Sequence, residues 1–170
     1  MTADKDPGAG VEAAAARTLE LAATWIGWDG KPRVSEDGDR IYTPHKAIRR
    51  QADHLLDHLA EIEAVLAGVA TEPDKWHASQ VTTHADFAPF TEIDLDEARQ
   101  RLTRLARTMR LRLLAAGPDE WDRPREGWTL REIAEHLSNS WYAEQVGDLS
   151  ERHRSAGDRY AAVSGDVDSQ

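Results

Sequence analysis

The chain has 170 residues, 40% hydrophobic and 31% charged, and a formal net charge of −10 from 21 basic and 31 acidic side chains. That length fits one domain with a sizeable core, and the acidic balance argues against nucleic acid or an anionic membrane surface as a partner. With no cysteine, a disulfide, an Fe–S cluster, a thiolate zinc site and a cysteine nucleophile are all excluded.

The start, MTADKDPGAG, lacks the basic region and apolar run of a secretory signal, and no apolar run approaches the roughly 20 residues of a membrane span. A cytoplasmic protein is the simple expectation. Residues 1–10 and 151–170 are small, polar and aperiodic, which predicts a disordered N-terminus and a flexible C-terminal tail around one helical domain over residues 11–150. The only local basic patch, HKAIRR with Lys46, Arg49 and Arg50, is short.

Four helical patterns follow one another. The first covers 11–26, with Val11, Ala15, Leu19, Ala22 and Ile26 as its apolar stripe and Gly27 as its stop. A turn-rich stretch leads to the second, 43–67, with Thr43 as N-cap, Pro44 in the first helical position and Gly68 beyond its end. The third covers 94–116, opening on an Asp94-x-x-Glu97 capping box and ending before Gly117-Pro118. The fourth covers 129–147 and opens on Thr129-x-x-Glu132, with Trp128 and Ile133 spaced as a hydrophobic staple. Strand signals are nearly absent. The expectation is an all-α fold, a four-helix bundle. The long connection from Val69 to Thr91 is too apolar for a free linker, and Trp76, Phe87 and Phe90 should hold it in order across one end of the bundle.

The histidines are the chemical feature. At about 100° per residue, Ile48, Leu55, Leu59, Ile62 and Leu66 share one face of the second helix, with His54 and His58 at its edge, four residues apart. His136 stands at the corresponding edge of Leu130, Ile133, Leu137 and Trp141. His-x-x-x-His alone reads as two half-buried imidazoles bonded to backbone. A third histidine on a facing helix shifts the reading to an open metal site, with water completing the shell. The zincin pattern is excluded, since Leu55 stands where its glutamate belongs. Glu144 falls on the inward face of a continuous fourth helix, as a fourth ligand or a general base, or else is solvated at a frayed end. Asp53, Asp57, Glu61 and Glu63 read as solvated surface. His45, His77, His84 and His153, in a first turn, a loop or the tail, read as dispensable for metal.

WTLREIAEHLSNSWYAE, with the helix and the LLAAGPDEWDRPREGW stretch before it, resembles the first histidine motif of DinB-like metal-binding proteins over residues 93–150, and ADHLLDHLAE forms a second patch. The resemblance implies a four-helix bundle around a three-histidine centre for zinc, nickel or iron. His136 matches the family's lone histidine, and His54 with His58 its pair. The order is reversed here, because the family's lone histidine precedes the pair. A permuted bundle, exchange between two pseudo-symmetric halves, or shared helix grammar would each account for that. The resemblance also implies a thiol-dependent transferase or isomerase, or a hydrolase, acting on a small molecule, with a homodimer as the assembly. The Ala- and Arg-rich, Lys-poor composition fits a high-GC source, in which mycothiol is the available thiol. The competing expectation is a metal-free helical module that binds a partner or a second copy through its aromatic loop and apolar faces.

Overall fold

The computed structural model describes residues 6–71 and 80–150. Its order is α1 (Gly8–Ala22), β1 (Arg33–Val34), β2 (Ile41–Tyr42), α2 (Pro44–Ala67), a 3-10 turn (His84–Phe87), α3 (Glu92–Ala116), the short α4 (Pro118–Trp121), α5 (Leu130–Leu137) and α6 (Trp141–Val146). The class is all-α, with one two-stranded antiparallel ribbon that pairs Arg33 with Tyr42 and Val34 with Ile41. Trp76, His77, His153 and the 151–170 tail lie outside the described residues.

Helix α1 starts earlier than its composition suggests. Gly8 and Gly10 let it approach its neighbours closely: a Cβ on Gly8 would stand 2.7 Å from Arg110 Cα, and one on Gly10 would stand 2.3 Å from Ser138 Oγ. Asp6 accepts from the Gly8 amide at 2.9 Å and pairs with Arg110 at 2.6 Å, and Glu12 also pairs with Arg110. Residues 6–10, expected as a frayed end, are therefore packed. The helix ends at Ala22, not Ile26, because the Thr24 hydroxyl donates back to Leu21 O at 2.7 Å and accepts from the Leu149 amide at 3.0 Å. Such local side-chain bonds compete with helix continuation. Trp25 then turns fully inward and donates to Gly147 O at 2.8 Å.

Helix α2 has the expected ends. Thr43 accepts from the Lys46 amide, Pro44 is first, and Gly68 closes the helix at φ 69°, a left-handed conformation that glycine adopts without a Cβ clash. Its apolar face buries Ile48, Leu55 and Ile62 against Leu102, Met109 and Leu113 of α3 and Leu130, Ile133 and Leu137 of α5. α1 packs chiefly along α3, and α2 along α3 and α6. The cap of α3 is Thr91, which bonds reciprocally with Asp94, so Asp94 is the third helical residue rather than the cap.

The described part of the long connection is held by polar contacts more than by aromatic ones. Arg49 pairs with Asp86 at 2.8 Å, Lys46 Nζ donates to Thr82 Oγ1 at 2.8 Å, and Thr83 and Asp86 form a capping box. Phe90 is buried edge-on against Trp25, but Phe87 is 42% exposed.

The expected fourth helix is broken in two. Ser138 Oγ donates to Ala134 O at 2.7 Å, Asn139 Nδ2 donates to His136 O at 2.5 Å, and Asn139 Oδ1 accepts from the Trp141 amide at 3.1 Å. These bonds end α5 at Leu137 and restart the chain as α6 at Trp141. Among the described residues, no helix is long and apolar enough to cross a membrane.

Candidate metal centre

Two helices bring the three histidines together. His54 and His58 are successive-turn neighbours on α2, with ring centroids 4.9 Å apart. His136 reaches them from the last turn of α5, with its centroid 4.8 Å from His54 and 5.2 Å from His58. One nitrogen from each lies within 4.8 Å of the others, and among the described residues these three histidines make up the group able to hold a metal ion. His54 Nε2 and His136 Nε2 are hydrogen-bonded at 2.9 Å, so one of the two rings carries the shared proton.

Burial is graded across the cluster. His54 and His58 are half-buried and His136 is exposed. Burial first, then the neighbouring His58, His136 and Arg50, pushes His54 down to about 3, so the ring is neutral across the physiological range. Burial, with His58 beside it, also holds His136 below the usual histidine value. Behind His54 stands Tyr142, with ring centroids 5.7 Å apart, and the Tyr142 hydroxyl is bonded to the buried Arg50 at 3.0 Å. Neutral imidazoles are the protonation state a metal requires.

His58 has a fixed orientation. Its Nδ1 lies 2.7 Å from Glu61 Oε2, one helical turn on. Donation from Nδ1 to the carboxylate leaves Nε2 as the lone-pair nitrogen, the arrangement in which a carboxylate sets the tautomer of a metal-ligating histidine. Glu61, read from the sequence as solvated surface, is thus a member of the site. Its signal was the i,i+3 spacing from His58, which places the two on one face.

Glu144 is placed differently from its expected inward position. It is exposed, and its Oε1 accepts from Ser140 Oγ at 2.7 Å. The inward phase assumed a continuous helix from 129 to 147, and the break at 138–140 resets it. His45 is engaged elsewhere, with Nε2 3.2 Å from Pro89 O. Trp128, spaced from Ile133 as a staple, lays its indole against the imidazoles: it is near-parallel to His58 at 6.0 Å and tilted on His136 at 4.7 Å.

The donor set suits a borderline-soft divalent cation. A tetrahedral ion with bonds of about 2.0–2.1 Å sets its nitrogen ligands roughly 3.3–3.4 Å apart. The observed spacings run from 2.9 Å between His54 and His136 to at most 4.8 Å across the group, a range that includes that value. No family model matches the chain, and no match is found among curated proteins or solved structures.

Proposed function

We propose that His54, His58 and His136 hold one divalent ion (zinc, nickel or iron) and leave a coordination position open, and that the chain is a metal-dependent enzyme of DinB-like type. The observation that carries this reading is the convergence of three imidazole nitrogens from two helices within 4.8 Å, one of them oriented by Glu61. In this reading the helices form a four-helix bundle whose fourth position is shared by α5 and α6.

Each side chain has a separate task. Glu61 fixes the His58 ring and, in the neutral imidazole, selects the tautomer with the proton on Nδ1 and the lone pair on Nε2. The half-buried His54, backed by Tyr142, forms the floor, and the exposed His136 closes the centre on the solvent side. A bound divalent ion supplies Lewis acidity, which lowers the pKa of a coordinated water or thiol toward neutrality. The same centre therefore serves a transfer that uses a low-molecular-weight thiol such as mycothiol, or a hydrolysis, with a small molecule as substrate.

Metal analysis of the purified full chain, before and after incubation with zinc, nickel or ferrous iron, tests the proposal. One equivalent of bound metal per chain, lost in the His58→Ala variant, is the expected result. Protein that stays metal-free under all these conditions would favour a helical binding or dimerisation module, to which exposed apolar side chains such as Leu56, Leu111 and Leu114 are available.

A further inference from the structure

We infer that Trp128 is the ligand-contacting wall of this centre, so that the open position prefers a metal-binding head group carried on an aromatic ring. The inference rests on the metal reading above. Trp25, Trp28 and Trp121 are buried, and each donates its indole N–H to a backbone carbonyl: Gly147 O, Lys31 O and Leu113 O. Those rings are explained by packing. Trp128, by contrast, is 45% exposed. Burial in the core does not account for a large apolar ring in that position.

Its place is set by the chain around it. Trp128 precedes Thr129, the N-cap of α5, whose reciprocal bonds with Glu132 hold the start of that helix. From there the indole lies over α2, with its plane 19° from that of His58 and its centroid 6.0 Å away, while the His136 ring stands 4.7 Å off at 56°. The opposite side of the centre is closed by Tyr142 against His54, with the buried Arg50 behind it. The approach from solvent is therefore the side on which His136 and Trp128 are exposed.

The dimensions follow from imidazole coordination. An ion bound to a ring nitrogen at about 2.0–2.1 Å lies roughly 3 Å from the ring centroid. A flat ring attached directly to a head group held there would reach toward the indole, whose centroid lies 4.7 Å from His136 and 6.0 Å from His58. A methyl group in the same place falls short of it. The exposed part of the indole would then form an offset or edge-on aromatic pair with the ligand.

The test uses the full chain loaded with Co2+, whose visible absorption reports ligand exchange, and two probes that share one head group, benzohydroxamate and acetohydroxamate. The wild-type protein should bind benzohydroxamate roughly 3- to 10-fold more tightly, the range an aromatic pair supplies. Trp128→Leu, which keeps apolar bulk without a ring, should remove that preference while still binding one Co2+. Trp128→Phe should retain most of it. A wild-type protein with no preference, or a Trp128→Leu variant that keeps it, overturns the inference and leaves the metal reading standing. If Co2+ does not bind before any hydroxamate is added, the metal reading fails first and the inference falls with it.

Discussion

The Nε2 atoms of His54 and His136 lie 2.9 Å apart although 82 positions of sequence separate them. Two imidazoles at that distance share one proton, and His54, held down to about 3 mainly by burial, does not take a second at neutral pH. A cation that replaced the shared proton would meet both nitrogens along the same approach, with His58 as the third donor. The packing of α5 against α2 creates this arrangement, and its consequences are measurable.

Removing His58 should abolish stoichiometric metal. His45→Ala should leave it intact, since His45 is bonded to Pro89 O and packed on Phe90. Metal content by elemental analysis of both variants, with circular dichroism to confirm folding, checks the pair.

Glu61→Gln keeps the size of the side chain and removes the charge that sets the His58 tautomer. Metal affinity should fall by about 10- to 100-fold, the usual effect of losing such a partner. Glu144→Gln should change it by less than about twofold, because Glu144 is exposed and bonded to Ser140. Competition with a chromophoric chelator measures both; equal losses in the two variants would contradict the placement.

Asp86 anchors the connection before α3 through Arg49 and Thr83. Burial pushes its carboxyl up, but the Arg49 and Thr83 bonds outweigh that and hold it below its ordinary value of 3.8. A depressed carboxylate contributes stability above its unfolded pKa and loses it as pH falls through the folded one. Asp86→Asn should therefore cost about 1–3 kcal/mol at pH 7. The gap to the wild-type protein should narrow as pH drops below about 4, where the unfolded carboxyl takes its proton. Urea unfolding at pH 7, 4 and 3 follows the convergence.

Gly8→Ala should destabilise the fold by about 1–3 kcal/mol, as overpacking does, because the new Cβ would meet Arg110 Cα, a backbone atom, at 2.7 Å. At Gly10 the nearest atom is Ser138 Oγ, the end of a side chain. Gly10→Ala should therefore cost less, and Ser138→Ala beside it should recover part of the loss. Thermal unfolding of the single and double variants distinguishes the two positions.

The helix class, the ends of α2 and the start of α5 were legible in the residues themselves. Thr43, Pro44 and Gly68 satisfy or omit terminal backbone groups whatever lies nearby, and Thr129 with Glu132 does the same for α5. The edge positions of His54, His58 and His136 followed from helical periodicity, which is also local. The break at Ser138–Asn139–Ser140 was not legible, since serine and asparagine sit within helices as well as between them. Which they do here depends on bonds to Ala134 O and His136 O and on α1 lying against Ser138 at Gly10. That break moved Glu144 out and left Glu61 as the carboxylate of the site. The i,i+3 spacing made Glu61 a neighbour of His58 from the start. Only the packing of α5 and Trp128 over α2, where His54 and His58 are half-buried, makes its hold on one ring matter, because a hydrogen bond selects a tautomer most strongly where water is kept from competing.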